Sequence, residues 1–137
     1  MVDVSQKAIS LRVAQAVGRI RLQAATIQQI QRNRISKGNV LATARLAGIQ
    51  AAKRTGELIP LCHPLAVEHL EVEFRLAKRE IEIKATARIM AKTGVEMEAL
   101  TAVALAALTI YDMCKAVDKT MAILDVHLLS KTKTPLP

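Results

Sequence analysis

The chain has 137 residues, of which 51% are hydrophobic and 23% charged, and its formal net charge is +8. That length and apolar content suit one folded domain covering residues 1–137, and they exclude a disordered chain. The positive excess lies in residues 1–60, where ten Lys/Arg face only Asp3 and Glu57, so we expect an anionic partner. One Phe, one Tyr and no Trp leave little surface for base stacking, which favours a phosphorylated small molecule over nucleic acid.

The N-terminus and the cysteines indicate a cytoplasmic protein. The opening MVDVSQKAIS lacks the basic-then-apolar order of a secretory signal, and no apolar run reaches the roughly 20 residues that cross a bilayer. Cys62 and Cys114 have no paired spacing, so we expect free thiols. Cys62 is followed by His63, but neither C-x-x-C nor H-x-x-x-H spacing occurs, and we expect no metal site.

The first predicted element is a strand. Apolar residues alternate at Val2 and Val4, then at the odd positions 9, 11 and 13, and then at the even positions 20 and 22. A change of parity within a strand indicates a bulge or a bend, and Gly18 lies close to this one.

Two helices are predicted after the strand. The pattern of residues 24–33 predicts a short helix that serves as scaffold. The turn 36–39 ends at Asn39, a good N-cap residue, and predicts a second, alanine-rich helix that Gly56 ends. Lys37 and Lys53 lie at the two ends of this second helix, where they either hold a phosphate chain or are simply solvated.

A stiff loop is predicted at residues 57–65. Two prolines fix backbone angles there and deny a regular ladder to the three residues between them, Leu61, Cys62 and His63. A stiff, irregular loop makes a good binding wall, and His63 suits hydrogen bonding or proton transfer.

A hairpin, a long helix and a last strand complete the chain. Residues 67–76 and 81–89 alternate apolar and polar side chains, as expected of a hairpin with one wet face. The alanine-rich stretch 94–119 predicts one long core helix, and residues 121–129 predict a final strand. This order of elements predicts an α+β, ferredoxin-like two-layer fold, an antiparallel sheet with helices packed on one face.

Charged residues from the two ends of the long helix project to one side. Glu98, Asp112 and Lys115 share that side of a regular helix. The rise of about 1.5 Å per residue separates Glu98 from Asp112 by about 21 Å, so both cannot contact one small reacting centre. Either the ligand is long, or each end belongs to a different pocket completed by another subunit. A solvated ion pair between Asp112 and Lys115 explains the second end without any function.

Two long segments resemble a known family. Residues 37–65, KGNVLATARLAGIQAAKRTGELIPLCHPL, and residues 92–119, KTGVEMEALTAVALAALTIYDMCKAVDK, closely resemble the cyclic pyranopterin monophosphate synthases, the C proteins of molybdenum cofactor biosynthesis. The resemblance extends over nearly the whole chain. It implies a lyase that converts (8S)-3′,8-cyclo-7,8-dihydroguanosine 5′-triphosphate into cyclic pyranopterin monophosphate and releases pyrophosphate, with no cofactor.

The resemblance also implies which residues form the site. The family's catalytic aspartate and lysine match Asp112 and Lys115, as base and acid. The substrate-binding positions of the family match Leu61, Cys62, His63, Met97, Glu98, Lys37, Lys53, Lys131 and Arg12. The lysines among them are expected to stabilise the pyrophosphate leaving group.

The family's quaternary structure and the chain's departures from the family pattern set further expectations. The resemblance implies a homohexamer, a trimer of dimers with active sites at subunit interfaces. The chain departs from the family at Asn39, where Asp is usual, and in residues 131–137, where the family has a glycine- and lysine-rich tail. Two other functions stay open at this point: a ferredoxin-like protein that binds nucleotides or RNA without chemistry, and an assembly subunit of a pterin pathway complex.

Overall fold

The computed structural model describes residues 1–137 and contains one four-stranded antiparallel sheet with helices on one face. The strands are β1 (Ser10–Arg21), β2 (His69–Leu76), β3 (Glu80–Ala91) and β4 (Ala122–Pro135). The helices are α1 (Ala24–Gln31), α2 (Val40–Lys53), α3 (Thr55–Leu58) and α4 (Glu96–Cys114). The strand order in the sheet is β2-β3-β1-β4, so the predicted α+β, ferredoxin-like fold is confirmed.

Helix α4 is the centre of the core. It packs across β1 and β3 and against α2, and small residues line these contacts. A Cβ atom added to Gly48 of α2 would lie 2.8 Å from the carbonyl oxygen of Ala102, and one added to Gly18 of β1 would lie 2.7 Å from Val103. By length and composition α4 also resembles a membrane span, but just over half of its most apolar stretch is buried inside this fold.

The sheet has one face toward the helices and one toward solvent. On the face toward the helices, Ala14, Ala16 and Ile20 of β1 are fully buried. On the opposite face, Arg19 pairs with Glu80, and Arg75 pairs with Glu82. The predicted hairpin with one wet face is therefore confirmed as β2 and β3, and cross-strand ion pairs occupy its outer face.

Two predictions about the first strand need correction. The strand begins at Ser10 rather than at Val2, because the preceding residues form a turn in which the Ser5 amide donates to Asp3. β1 pairs with β3 without any register shift, so β1 itself contains no bulge. The irregularity near Gly18 is real, but the extra residues belong to the partner strand β4, where Asp125 adopts a positive φ of 54°.

The ends of two other elements also differ from prediction. Gly56 does not end α2; that helix ends at Lys53, and Gly56 lies in α3, packed so closely on Pro64 that an added Cβ would lie 2.8 Å away. The last strand does not stop near residue 129 but continues to Pro135, which lies opposite Ser10. Alternating Lys and Thr residues form this extension. A strand at the edge of a sheet requires backbone hydrogen-bond partners and side chains compatible with β structure, but it does not require an apolar face.

Gly48→Val is expected to lower the free energy of unfolding by about 1–3 kcal/mol, because the new side chain would force α2 away from α4. Chemical unfolding followed by circular dichroism measures the change. Ala42→Val, on the exposed face of the same helix, controls for helix propensity and is expected to cost no more than about 0.7 kcal/mol. Equal losses in the two variants would contradict a tight α2–α4 contact.

Candidate active site

One cluster of charged side chains lies where α4 ends. Lys37 Nζ lies 2.8 Å from Asp112 Oδ2 and 3.2 Å from the Asp112 carbonyl oxygen. Lys115 Nζ lies 2.9 Å from the other carboxylate oxygen, Oδ1. Asn39 accepts a hydrogen bond from the Ala42 amide and caps α2, as predicted, which fixes the turn that carries Lys37. The carboxylate is therefore bracketed by two ammonium groups, one from its own helix and one from the turn before α2.

The two lysines set the protonation state of this carboxylate. Hydrogen bonds from Lys37 and then from Lys115 lower the pKa of Asp112 to about 2. Asp112 is therefore ionised at neutral pH. In this arrangement it is a weak base, and it becomes a stronger base when a lysine moves away from it.

Asp118 fixes the turn that follows Lys115. Its buried carboxylate accepts hydrogen bonds from the Gln23 amide at 2.8 Å, from the Thr26 hydroxyl at 2.8 Å, and from both the amide and the hydroxyl of Thr120. Burial raises the pKa of Asp118, but these hydrogen bonds outweigh burial and lower the pKa to about 2. The sequence analysis missed this residue because a single Asp after a helix carries no distinctive pattern.

A second group of predicted residues lies at the other end of α4. The loop bearing Leu61, Cys62 and His63 lines a cavity of about 310 Å³ together with Glu96 and Met97. The irregular loop predicted at 57–65 is confirmed for Leu61, Cys62 and His63, but its bounds differ: Glu57 and Leu58 lie in α3, and the segment without helix or strand runs from residue 59 to 68. His63 Nε2 lies 2.7 Å from the Val2 carbonyl oxygen, so the N-terminal segment contacts this loop.

Glu98 has an unusual environment beside this loop. Its side chain is buried, with 1% of its surface exposed, and its Oε1 atom has no hydrogen-bond partner. Burial, and then the charge of Glu96, raise the pKa of Glu98. Burial also raises the pKa of the nearby Cys62 thiol, and the charges of Glu98 and Glu96 add to that effect. An unpartnered buried carboxyl oxygen is costly, so this position suits a ligand that supplies an N–H or O–H donor.

A basic cavity of about 290 Å³ adjoins the cavity lined by the Leu61–His63 loop. It is lined by Arg12, Lys131 and Lys133 and shares Gly94 and Glu96 with the loop cavity. Lys131 Nζ lies 3.4 Å from Glu96 Oε1. Glu96 and Lys133 were not among the predicted site residues; Lys133 would have been found if the tail had been interpreted as a strand, because it then shares a face with Lys131.

The structure therefore groups the predicted residues at two separate ends of one helix. Lys37, Asp112 and Lys115 lie together at the C-terminal end of α4. The remaining predicted residues lie toward its N-terminal end, including Lys53 in the last turn of the antiparallel helix α2. Because α4 is continuous between its ends, Glu98 and Asp112 are about 21 Å apart, and one chain does not bring them together. No three His, Cys, Asp or Glu side chains lie close enough together to hold a metal ion.

The chain matches known proteins over nearly its full length. A model described as the MoaC family matches residues 1–134. The chain is 55% identical over 133 residues to the cyclic pyranopterin monophosphate synthase of Desulfitobacterium hafniense, covering 96% of this chain and 82% of that protein. Proteins with the same name are 57% identical in Chloroflexus aurantiacus, with the same coverage, and 59% identical in Chloroflexus aggregans, with 96% and 81% covered.

Lys37→Gln is expected to raise the pKa of Asp112 from about 2 toward its ordinary value of 3.8, because the larger of its two stabilising hydrogen bonds is lost. Carboxyl NMR titration measures this change. Because folding lowers the pKa of Asp112, its carboxylate stabilises the folded state at pH values above 3.8, the ordinary pKa of aspartate. This stabilisation is lost as the pH falls from 3.8 through about 2. Lys119→Gln is the control, since Lys119 binds only the Lys115 carbonyl oxygen. An unmoved Asp112 pKa in Lys37→Gln would contradict the assignment.

Proposed function

Because the chain belongs to the MoaC family, we propose that it converts (8S)-3′,8-cyclo-7,8-dihydroguanosine 5′-triphosphate into cyclic pyranopterin monophosphate and pyrophosphate. Its relatives carry the name cyclic pyranopterin monophosphate synthase, and the protein is a lyase of molybdenum cofactor biosynthesis. We place this reaction in the cytoplasm and in a single domain, residues 1–137. The observation that carries the proposal is the Asp112 carboxylate held between Lys37 and Lys115.

The rearrangement needs proton transfers in both directions, and the Asp112 cluster is suited to them. Asp112 is the proposed base and Lys115 the proposed acid, one helical turn apart. When an anionic substrate draws Lys37 to its phosphates, Asp112 loses its largest stabilising hydrogen bond and its pKa rises. Substrate binding therefore turns a weak carboxylate base into a stronger one at the moment when a base is required.

The opposite end of α4 is suited to holding the substrate. The unpartnered Oε1 atom of Glu98 accepts an N–H group of the guanine-derived ring. The proposed pocket wall consists of Leu61, Cys62, His63 and Met97. Arg12 and Lys131 in the basic cavity, with Lys53 at the end of α2, balance the charge of the triphosphate and of the leaving pyrophosphate.

A complete site requires two chains, because a single reacting centre cannot contact groups about 21 Å apart on one helix. In our proposal the Asp112 end of one copy meets the Glu98 end of another, within a homohexamer built as a trimer of dimers. Exposed apolar side chains beside the Asp112 cluster support a subunit contact: Leu108 is 51% exposed and Tyr111 is 38% exposed.

Asp112→Asn and Lys115→Ala are each expected to slow pyrophosphate release from the cyclised GTP intermediate by about 10²- to 10⁴-fold, since each removes a proton-transfer group. A coupled phosphate assay on folded, correctly assembled protein measures the rate. Lys78→Ala, an exposed lysine in the turn between β2 and β3, is the control and is expected to retain wild-type activity. Binding of the nucleotide without release by wild-type protein would overturn the proposal in favour of a binding protein.

Co-expression of Asp112→Asn with Glu98→Gln is expected to restore about a quarter of the wild-type activity, because half of randomly formed dimers are mixed and each mixed dimer has one intact site. Each variant expressed alone is expected to be inactive or strongly impaired. If the mixture is no more active than the separate variants combined, the site is contained in one chain. Different affinity tags on the two variants, with capture through one tag and detection of the other, confirm that mixed assemblies form, and analytical ultracentrifugation confirms that their size is unchanged.

A further inference from the structure

The basic cavity contains a cation that the family resemblance does not assign. Lys131 and Lys133 are two residues apart on β4, so their side chains share one face of the sheet. In the ladder with β1, Lys131 lies opposite Ala14 and Lys133 lies opposite Arg12. Both lysines and Arg12 line the same cavity beside the first turn of α4.

The pairing of Arg12 with Lys133 is unfavourable in the free protein. Like charges directly opposite each other in a sheet repel, and neither of these two side chains forms an ion pair with a carboxylate. Arg12 donates only to neutral acceptors, the Ser10 hydroxyl at 2.8 Å and the Lys92 carbonyl oxygen at 3.4 Å. Lys133 makes no ion pair and no side-chain hydrogen bond in the structure. An anion bound between them would remove the repulsion.

The third cation in the cavity is already partly neutralised. Lys131 pairs with Glu96, which is the only acidic residue that lines the cavity. Three cations against one carboxylate leave an excess of two positive charges in about 290 Å³. This excess suits a ligand with several closely spaced anionic oxygens better than a single carboxylate.

We propose that Lys133 is a further phosphate-binding residue, which together with Arg12 binds the diphosphate portion of the ligand while Glu96 holds Lys131 in place until the ligand arrives. The proposal rests on the proposed function for the identity of the natural ligand. The existence of the anion site is independent of the proposed function, and inorganic pyrophosphate can probe this site directly.

Isothermal titration with inorganic pyrophosphate tests the site. Lys133→Gln is expected to raise the Kd by about tenfold, as loss of one charge-assisted contact predicts. Lys133→Arg is expected to restore binding. Lys78→Gln is the matched control, because it changes the net charge equally at the opposite end of the sheet. Glu96→Gln is expected to act in the other direction and lower the Kd, because it frees Lys131.

Thermal unfolding provides a second measurement, which distinguishes loss of the anion site from damage to the fold. Pyrophosphate is expected to raise the Tm of wild-type protein more than that of Lys133→Gln. Without pyrophosphate, Lys133→Gln is expected to be at least as stable as wild type, because the repulsion with Arg12 is gone. Weaker binding together with a lower unliganded Tm would identify a merely structural role and overturn the proposal.

The outcomes separate this inference from the proposed function. If Lys133→Gln and Lys78→Gln bind pyrophosphate equally well, or if wild type does not bind it, the Lys133 site is wrong even when lyase activity is present. If Lys133→Gln alone weakens binding while no protein releases pyrophosphate from the cyclised nucleotide, the anion site stands and the proposed reaction fails. In an active enzyme, Lys133→Gln is expected to raise KM more than it lowers kcat, since Lys133 binds phosphate oxygens and transfers no proton.

Discussion

The burial of α4 is the constraint on which the rest of the structure depends. A helix that packs on a sheet along one side and on α2 along another needs small residues at both contacts, and Gly18, Gly48 and the alanines of α4 provide them. This packing prevents α4 from bending or sliding, because the nearest atoms already touch. The groups at its two ends are therefore held at a fixed separation. A reaction at one centre that uses the groups from both ends of α4 must therefore take one of these groups from another subunit.

The two carboxylates on α4 have opposite environments. Asp112 is exposed and bracketed by lysines, so its pKa is lowered to about 2. Glu98 is buried with an unpartnered oxygen, and burial raises its pKa. Pairs of carboxylates whose surroundings separate their pKa values are a common basis for dividing roles in an active site. In the proposed reaction, the charged carboxylate exchanges protons and the buried one accepts an N–H group of the substrate.

Elements with strong local patterns were predictable from the sequence, and features that depend on partners were not. The hairpin, the Asn39 cap, the irregular backbone of Leu61 to His63 and α4 each follow from periodicity or turn chemistry within a short window. The extension of β4 to Pro135 depends on the free edge of β1, which no local pattern reveals. The contact between Lys37 and Asp112 joins residues 75 positions apart, and only the packing of α2 on α4 creates it. The resemblance to a family identified both residues but not their hydrogen bond.

The direction of α4 adds to the control of Asp112. Its first turn carries Glu96 and Glu98, where the helix dipole favours negative charge, but Asp112 lies in its last turn, where the dipole disfavours it. Hydrogen bonds from Lys37 and Lys115 lower the pKa of Asp112 to about 2, and they therefore act against the dipole. Once Lys37 turns toward a phosphate, the dipole and the lost hydrogen bond act in the same direction, and both raise the pKa of Asp112. The position of the carboxylate at the negative end of a buried helix therefore makes its basicity sensitive to the loss of one neighbouring cation.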